Sequence, residues 1–352
     1  MEYRIIDHQL RFVKPAKTSR NVFEERHIRY ILLTKNGITG IGEAAPLKLL
    51  SIDDVEDYDT KLESYCQQIC DSGSIQDLNL DFDFDLSPYP SIQFGLETAL
   101  LDLKNGGKRH LFETNFMSGK SIPINGLVWM SDLETMYKEA ITKIKSGYTC
   151  IKFKIGTHDF DAECRLLEKI RKSYNAFDLE IRLDANGAFQ PDDAIQQLHE
   201  LKRFDIHSIE QPIQPNQWDD MARLCRSSKI DVALDEELIG VDVFKDGQQL
   251  LSFIKPTYII LKPNLIGGFT KADAWIKLCR QANVGWWATS ALESNIGLNA
   301  IAQWVSQYDT DMPQGLGTGS LYSNNIPSPL EIVNQSLVYG KSKWKLKSKF
   351  DV

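Results

Sequence analysis

Three acidic residues stand at the ends of short apolar runs with nearly equal spacing. Asp184, Glu210 and Asp235 are separated by 26 and 25 residues. If the runs are neighbouring parallel strands, the three carboxylates converge at one end of the sheet, where unpaired negative charge is costly. A hard divalent cation removes that cost, and a set of oxygen ligands without His or Cys favours Mg²⁺, with Mn²⁺ as a substitute. A single acid at such a place is usually only solvated, so it is the three together that predict a metal site.

Three lysines occupy strand positions on either side of these acids. Lys152 and Lys154, in CIKFKIG (150–156), point to the same face because strand side chains alternate, and Lys262 ends the run YIILK. Taken alone, the pair would suggest a solvated strand face. With strand two on one flank of the acids and strand six on the other, a metal-bound substrate carboxylate would lie between Lys154 and Lys262. This arrangement suits removal of a proton α to a carboxylate, with Lys154 as the general base.

The elements that must position these residues recur evenly. Short apolar runs begin at residues 121, 150, 179, 206, 231, 258, 284 and 312, and amphipathic helical patterns lie between most of them. Eight such units at one period are typical of a (β/α)8-type barrel, whose active site lies at the carboxyl ends of the strands. A doubly wound open sheet is the alternative. The nearly equal units and the lack of a GxGxxG motif after the first strand count against it.

The chain divides at about residue 115. Residues 1–115 contain two or three antiparallel strands, with a hairpin turn at Asn36-Gly37, and then two helices, which predicts an α+β domain. Residues 116–319 form the predicted barrel. Residues from about 320 to 352 are expected to complete the α+β domain.

The bulk composition is that of an ordinary globular protein. The 352 residues are 42% hydrophobic and 25% charged, and the net charge of -8 argues against nucleic acid or an anionic membrane as partner. No signal peptide or run of the ~18 apolar residues needed for a membrane span is found. The six cysteines lack CxxC spacing, which favours reduced thiols in a cytoplasmic protein. Nothing in the sequence indicates an oligomeric state.

The motifs resemble a known family. KFK, LDANG, IEQPI, LDEEL and LKPNLIGG together resemble the muconate-lactonising subgroup of the enolase superfamily, and GIGEAAPL (40–47) is similar to the capping-domain loop of that superfamily. SALESNIGLNAIAQW (290–304) and QGLGTGSLY (314–322) resemble the o-succinylbenzoate synthases more than other members. The resemblance covers roughly residues 1–335. It implies an α/β fold, a (β/α)7β TIM-like barrel with an N-terminal α+β capping domain.

The resemblance also implies an activity, with roles for the residues above. The three acids would bind one Mg²⁺, with Asp235 rather than Glu236 as the third ligand. The enzyme would be a hydro-lyase of menaquinone biosynthesis that dehydrates 2-succinyl-6-hydroxy-2,4-cyclohexadiene-1-carboxylate to o-succinylbenzoate. Lys154 would remove the α-proton and then protonate the departing hydroxide on the same face, and Lys262 would stabilise the enediolate. Lys152 would tune Lys154 and help to neutralise the substrate carboxylate.

Contacts to the rest of this small carboxylate substrate are expected from two places. Residues 14–26 match the mobile capping loop of the superfamily, although a solvated hairpin loop is an equal alternative. A hydroxyl after strand seven and backbone amides after strand eight are the other candidates. The predicted contacts are Thr18, Ser19, Arg20, Ser290, Gly317 and Thr318.

Several alternatives share these residues. N-succinylamino acid racemases, dipeptide epimerases and muconate cycloisomerases use the same lysines and metal, and racemisation needs bases on opposite faces, which Lys154 and Lys262 would supply. Dipeptide epimerases carry an acidic motif near strand eight, where this sequence has GLGTGS. The seventh and eighth strand motifs are less similar to the cycloisomerases. A catalytically inactive metal- or ligand-binding barrel is the non-enzyme alternative. It would be favoured by loss of a ligand or lysine, and none is lost.

Overall fold

A computed structural model describes residues 1–17, 22–72, 80, 82–346 and 350. The structural statements below concern these residues. Thr18, Ser19 and Arg20, which the sequence predicts to contact substrate, lie outside the described residues.

The N-terminal part is a three-stranded antiparallel sheet covered by two helices. Its elements are β1 (Glu2–Lys17), β2 (Val22–Lys35), β3 (Ile38–Ala44), α1 (Tyr58–Asp71) and α2 (Pro90–Lys104). The hairpin predicted at Asn36-Gly37 joins β2 to β3, with φ of 53° and 78°, the left-handed conformation that a type I′ turn requires. Helix α2 crosses β3 so closely that a Cβ on Gly42 would lie 1.9 Å from the Gly95 oxygen. Glycine in β3 therefore sets how deeply α2 packs.

A second unit follows, in which parallel strands alternate with helices. After β4 (Ile122–Pro123) the order is β5 (Gly126–Val128), α3 (Leu133–Lys145), β6 (Cys150–Lys154), α4 (Phe160–Arg171), β7 (Glu180–Asp184), α5 (Pro191–Leu201), β8 (Ser208–Glu210), α6 (Trp218–Ser227), β9 (Asp231–Leu234), α7 (Gly247–Ile254), β10 (Tyr258–Leu261), α8 (Pro263–Ile266), α9 (Gly268–Ala282), β11 (Gly285–Ala288) and α10 (Asn295–Val305). Strands β5 to β11 pair in chain order as one parallel sheet. Most of their residues are buried, as expected for strands covered by helices on one face and enclosed on the other.

The eighth strand position is held by two residues. Gln314 and Gly315 form parallel bridges to Ile124 and Thr289, so they connect the two ends of the sheet. The (β/α)7β TIM-like fold is therefore confirmed. The run predicted to begin at residue 312 contributes these two bridges rather than a regular strand.

Strand pairing places the chemically important side chains in one row. Lys154 pairs with Asp184, and Asp184 pairs with Glu210, in the parallel register of β6, β7 and β8. Paired residues of neighbouring strands project from the same face. Each of the three closes its strand, so the row lies at the carboxyl end of the sheet.

The C-terminal part returns to the N-terminal sheet. β12 (Leu330–Val333) and β13 (Ser336–Tyr339) form a second antiparallel sheet with β4. The Asn324 side chain bonds to the backbone of β1, and the ring of Phe350 packs edge-on against Tyr30 with centroids 4.9 Å apart. These are the contacts that completion of the capping domain would need. The division at residues 115 and 319 stays a prediction.

Two further properties bear on the environment of the chain. Among the described residues, no helix has both the length and the apolar character needed to cross a membrane. All six cysteines are free.

Candidate active site

The three acids predicted to bind metal converge. Each offers a carboxylate oxygen, and these oxygens lie within 4.8 Å of one another. Asp184 and Glu210 are fully buried and Asp235 is 2% exposed. We call Asp184, Glu210 and Asp235 the acidic triad.

The three lysines surround the acidic triad. Lys152 Nζ lies 2.8 Å from Glu210 Oε2 and 3.3 Å from Asp184 Oδ2. Lys154 Nζ lies 2.5 Å from Asp184 Oδ2, and Lys262 Nζ lies 2.5 Å from Asp235 Oδ2. Because β6 lies beside β7 and β10 lies beside β9, Lys154 and Lys262 approach the triad from opposite flanks, as the sequence predicts.

Burial and the neighbouring charges both shift the pKa values of these groups, and for Asp184 and Lys152 they act in opposite directions. Burial alone would raise the pKa of Asp184, but the ammonium groups of Lys154 and Lys152 outweigh it and hold that pKa well below its usual range. Burial raises the pKa of Glu210, Lys152 opposes the rise, and the carboxylates of Asp184 and Asp235 add to it. Burial would lower the pKa of Lys152, yet Glu210 and Asp184 raise it overall. Burial of Glu210 beside two other carboxylates therefore favours its protonated form.

The donor set fits a hard divalent cation. The group contains only carboxylate oxygens, with neither sulfur nor imidazole, which is the set that Mg²⁺ or Mn²⁺ prefers. Positive charge among these oxygens would lower the cost of keeping Glu210 ionised beside Asp184. Asp184, Glu210 and Asp235 are therefore the residues that would hold a metal. Their role as ligands stays a prediction.

An asparagine that the sequence analysis did not assign holds Lys154. Asn186 Oδ1 accepts a hydrogen bond from Lys154 Nζ at 2.9 Å, and Asn186 Nδ2 donates to Glu236 Oε1 at 2.9 Å. Asn186 has φ of 47°, a conformation that asparagine tolerates better than most residues. The Asn186 side chain therefore links the Lys154 Nζ atom to the carboxylate of Glu236. Its only sequence signal is its place in LDANG, two residues after the strand-end acid.

The lysines open into a cavity large enough for a small metabolite. Its volume is about 540 Å³, within the usual range of ligand pockets. Lys14, Phe23 and residues 47–50 line it from the N-terminal part, and Asn186 and Glu236 line it beside the lysines. Ser290, Gly317 and Thr318, predicted to contact substrate, also line it.

Part of the cavity lining is uncharged. The lining residues within 125–127, 289–291 and 315–321 are all neutral, whereas Lys138, Glu139 and Lys143 of α3 also line the cavity. Within the described chain, Asn125 Oδ1, Thr289 Oγ1 and Thr318 Oγ1 are buried without a hydrogen-bond partner. Buried polar groups normally have partners, so these atoms point to a bound ligand or water. We call Asn125, Thr289 and Thr318 the neutral wall.

The hydroxyl of Thr289, rather than that of Ser290, is available to bind a substrate. The Ser290 hydroxyl donates to Glu293 Oε2 at 2.6 Å and accepts from the Leu292 amide at 3.0 Å. Its single proton is therefore used within its own loop, whereas the Thr289 hydroxyl is free to donate. Asn125 and Thr289 are the residues that the sequence analysis missed here. A polar residue near a strand end is the only signal for them, and it does not say which side chain faces the cavity.

Comparison with known proteins now gives the class. Residues 135–337 match the family described as enolase C-terminal domain-like. The L-Ala-D/L-Glu epimerase of Bacillus subtilis has the same fold, with a TM-score of 0.82 over 98% of this chain and 97% of the epimerase, at 17% identity. That identity supports the fold alone. The family match and the barrel define a member of the enolase superfamily.

Closer relatives narrow the assignment. The chain is 44% identical to the o-succinylbenzoate synthase of Desulfotalea psychrophila over 358 residues, which cover 94% of this chain and 96% of the relative. The crystal structure of MenC from Desulfotalea psychrophila LSv54 superposes with a TM-score of 0.86 at 40% identity, covering 96% of this chain and 99% of that one. The chain belongs to the o-succinylbenzoate synthase family of the enolase superfamily, as the motifs predicted.

Proposed function

We propose that this chain is a Mg²⁺-dependent o-succinylbenzoate synthase, a hydro-lyase that removes water from 2-succinyl-6-hydroxy-2,4-cyclohexadiene-1-carboxylate. The observation that carries the proposal is the buried acidic triad with Lys154 and Lys262 on opposite flanks, since the Nζ atom of each lysine lies within hydrogen-bond distance of a triad oxygen. Removal of a proton α to a carboxylate needs this pairing of base and positive charge. Family membership selects the dehydration among the reactions that such a site supports.

Lys154 carries the proton in this proposal. Its neutral amine takes the proton from the ring carbon that bears the carboxylate, and the resulting negative charge spreads onto the carboxylate oxygens. The ammonium then returns the proton to the hydroxyl on the neighbouring ring carbon. The carbon–oxygen bond breaks, water leaves and the ring becomes aromatic. One lysine serves both steps because the proton and the hydroxyl lie on the same face. Asn186 holds the amine in place.

Lys262 stays charged and faces the substrate carboxylate from the other flank. Its contact with Asp235 and its burial, with 9% exposed, keep its ammonium at a fixed point of low dielectric. Burial would lower the pKa of Lys262, but Asp235 and Glu236 raise it overall, so the ammonium keeps its proton. A preorganised positive charge stabilises an oxyanion more than mobile water does. Lys152, two residues before Lys154 on the same face of β6, adds a second fixed positive charge beside the triad.

The acidic triad would hold Mg²⁺, which when bound supplies a positive charge that stabilises the doubly negative carboxylate formed by proton removal. The triad residues are themselves buried, and strand pairing holds Asp184 beside Glu210.

The neutral wall would receive the succinyl tail. A substrate whose ring carboxylate lies at the triad would extend its tail across the cavity toward Asn125 and Thr289. The hydroxyls of Thr289 and Thr318 are free to donate to a ketone or carboxylate oxygen there.

Because the free cysteines suit a reducing compartment, we place the reaction in the cytoplasm.

The test is an assay of purified protein with and without Mg²⁺. In the presence of Mg²⁺ the cyclohexadiene substrate should be converted to o-succinylbenzoate. The change in absorbance that accompanies aromatisation measures the conversion. Absence of turnover by folded, metal-loaded protein would refute the proposed function.

Racemisation of N-succinylamino acids is a second candidate. It is favoured by one observation, the approach of Lys154 and Lys262 to the triad from opposite flanks. A panel of N-succinylamino acids in the same assay, read by optical rotation, measures it. If racemisation alone proceeds, the dehydration proposal is wrong and the site assignment stands.

A further inference from the structure

A buried arginine outside the barrel contacts two segments that border the cavity. Arg26, on β2, is 3% exposed. Its guanidinium donates to the backbone oxygens of Pro46, Ala45 (2.5 Å) and Ala291 (3.4 Å). Ala45 and Pro46 follow β3, whereas Ala291 follows β11, so one side chain joins the two segments.

A third segment meets at the same point. Asn264 is fully buried and donates from Nδ2 to the Ala45 oxygen at 2.8 Å. It lies two residues after Lys262. The Ala45 oxygen therefore accepts from both Arg26 and Asn264 and connects the N-terminal part to α8, the helix that begins directly after Lys262.

The joined segments all reach the cavity. Residues 47–50, which follow Pro46 directly, line it, and so do Ser290 and Ala291. Glu293, which accepts a hydrogen bond from the Ser290 hydroxyl, is fully buried. Burial raises the pKa of Glu293 and the charge of Arg26 opposes the rise, so the arginine also compensates the acid that fixes the Ser290 loop.

We infer that Arg26 is a positioning residue, which holds residues 45–50 against α8 and the loop after β11 and so sets the shape of the cavity that binds the substrate. Arginine suits the task because its planar fork donates several hydrogen bonds in fixed directions, whereas a lysine ammonium does not hold three separated carbonyls at once. Arg26 does not line the cavity. Its loss should therefore weaken substrate binding more than it slows the chemical step. The kinetic part of this inference rests on the proposed function.

The test compares two buried arginines of the N-terminal part. Arg109 is 4% exposed and is held by Asp102 at 2.7 Å and by the Thr39 oxygen at 3.1 Å, none of which lines the cavity. Arg26→Met should raise KM by about tenfold or more, the loss expected for one or two good hydrogen bonds, with kcat changed less than about threefold. Arg109→Met should lower stability and leave KM unchanged. Arg26→Lys should fall between wild type and Arg26→Met.

A second readout does not need turnover. The Leu47 amide donates to Ser51 Oγ at 2.7 Å and the Ser51 amide to the Leu47 oxygen at 2.9 Å. Arg26→Met should speed hydrogen exchange of these amides, measured by mass spectrometry on the peptide over 45–52, and Arg109→Met should not. If Arg26→Met does not fold, Arg26→Lys is scored in the same way.

Unchanged KM and unchanged exchange in the Arg26 variants would overturn the inference. Equal changes in the Arg109 variant would also overturn it, because Arg26 would then be a stabilising residue only. Failure of the proposed function is distinguishable, since inactive wild type would still show the difference in hydrogen exchange.

Discussion

Two sides of the same cavity are built on opposite principles. On the acidic triad side every ionised group has a partner within the chain, and three lysines contact three acids. On the neutral wall, Asn125, Thr289 and Thr318 keep buried polar atoms that no described residue satisfies. The lysines and acids of the first side are paired with one another, whereas these three polar atoms of the second side have no hydrogen-bond partner among the described residues.

We expect this difference to separate reactivity from selectivity. Fixed charges at the triad would act on any carbon acid that carries a carboxylate. Unsatisfied hydroxyl and amide groups reward only a ligand that places polar atoms opposite them. We therefore expect changes at the triad to remove activity, and changes at the neutral wall to alter which substrate binds.

Lys154→Ala should produce the largest loss. Removing the group that takes and returns the proton should lower kcat by at least about a hundredfold, the lower end of general acid–base catalysis. Exchange of the substrate α-proton with deuterated solvent, followed by NMR, should stop as well. The matched control is Lys271→Met, which removes a lysine that is 8% exposed on α9, away from the cavity. Rapid exchange in the Lys154 variant would rule it out as the base.

Glu210→Gln should weaken metal binding. Replacing one charged oxygen donor of the triad should raise the Kd for Mg²⁺, measured by calorimetry, and lower kcat by roughly a hundredfold through lost charge stabilisation. Chelation followed by Mg²⁺ addition should abolish and restore wild-type activity. Glu163→Gln, at a buried glutamate on α4, should bind Mg²⁺ as wild type does. Equal Mg²⁺ affinity in the Glu210 and Glu163 variants would exclude Glu210 as a ligand.

Thr289→Val should act on binding. It keeps the shape of the side chain and removes the free hydroxyl, so KM should rise by roughly tenfold while kcat changes little. Thr289→Ser, which keeps the hydroxyl, should restore KM. Thr257→Val, at an exposed threonine that precedes β10 at the amino end of the barrel, should leave KM unchanged. A fall in kcat without a change in KM would place Thr289 with the reactive side instead.

Glu97 gives the smallest expected effect on activity and tests stability alone. It accepts hydrogen bonds from the Phe269 and Thr270 amides at the start of α9, and burial raises its pKa to about 7. The folded state therefore holds its proton more tightly than the unfolded state, whose pKa is about 4.3. The stability that this proton contributes is present below the unfolded pKa and is lost as pH rises through about 7.

Glu97→Gln removes this titration. Relative to the variant, wild type should lose stability between about pH 5 and pH 8, by no more than about 3 kcal/mol. Urea unfolding at both pH values measures the difference, and kcat should stay unchanged. If the free energy of unfolding changed with pH in the same way in wild type and Glu97→Gln, Glu97 would not be the group that titrates.

Much of the fold could be predicted from the sequence because its signals are local. The period of the apolar runs gave the barrel, and Asn36-Gly37 gave the hairpin, since each depends on residues close in the chain. The eighth strand was harder. Only Gln314 and Gly315 pair, and their partners Ile124 and Thr289 are distant in sequence, so no local pattern marks where that strand begins and ends.

The convergence of the acids and lysines was also predictable, whereas the rest of the cavity was not. Acids and lysines at strand ends must meet once the strands are parallel, so Lys154 and the triad followed from spacing. Both Thr289 and Ser290 line the cavity, and the choice between them depends on which hydroxyl donates a hydrogen bond to Glu293. That choice is set by strand register and by a contact within the loop, and neither can be predicted from the residue types alone.

The sequence by itself determined the barrel, the acidic triad, the flanking lysines and the family, because strand-end positions repeat along the chain. The tertiary structure alone decided how the N-terminal part meets the barrel. Arg26 reaches Ala291 and Asn264 reaches Ala45 across more than two hundred residues of chain. Backbone oxygens are the partners in both cases. Since every residue carries such an oxygen, only folding selects which of them a buried donor finds.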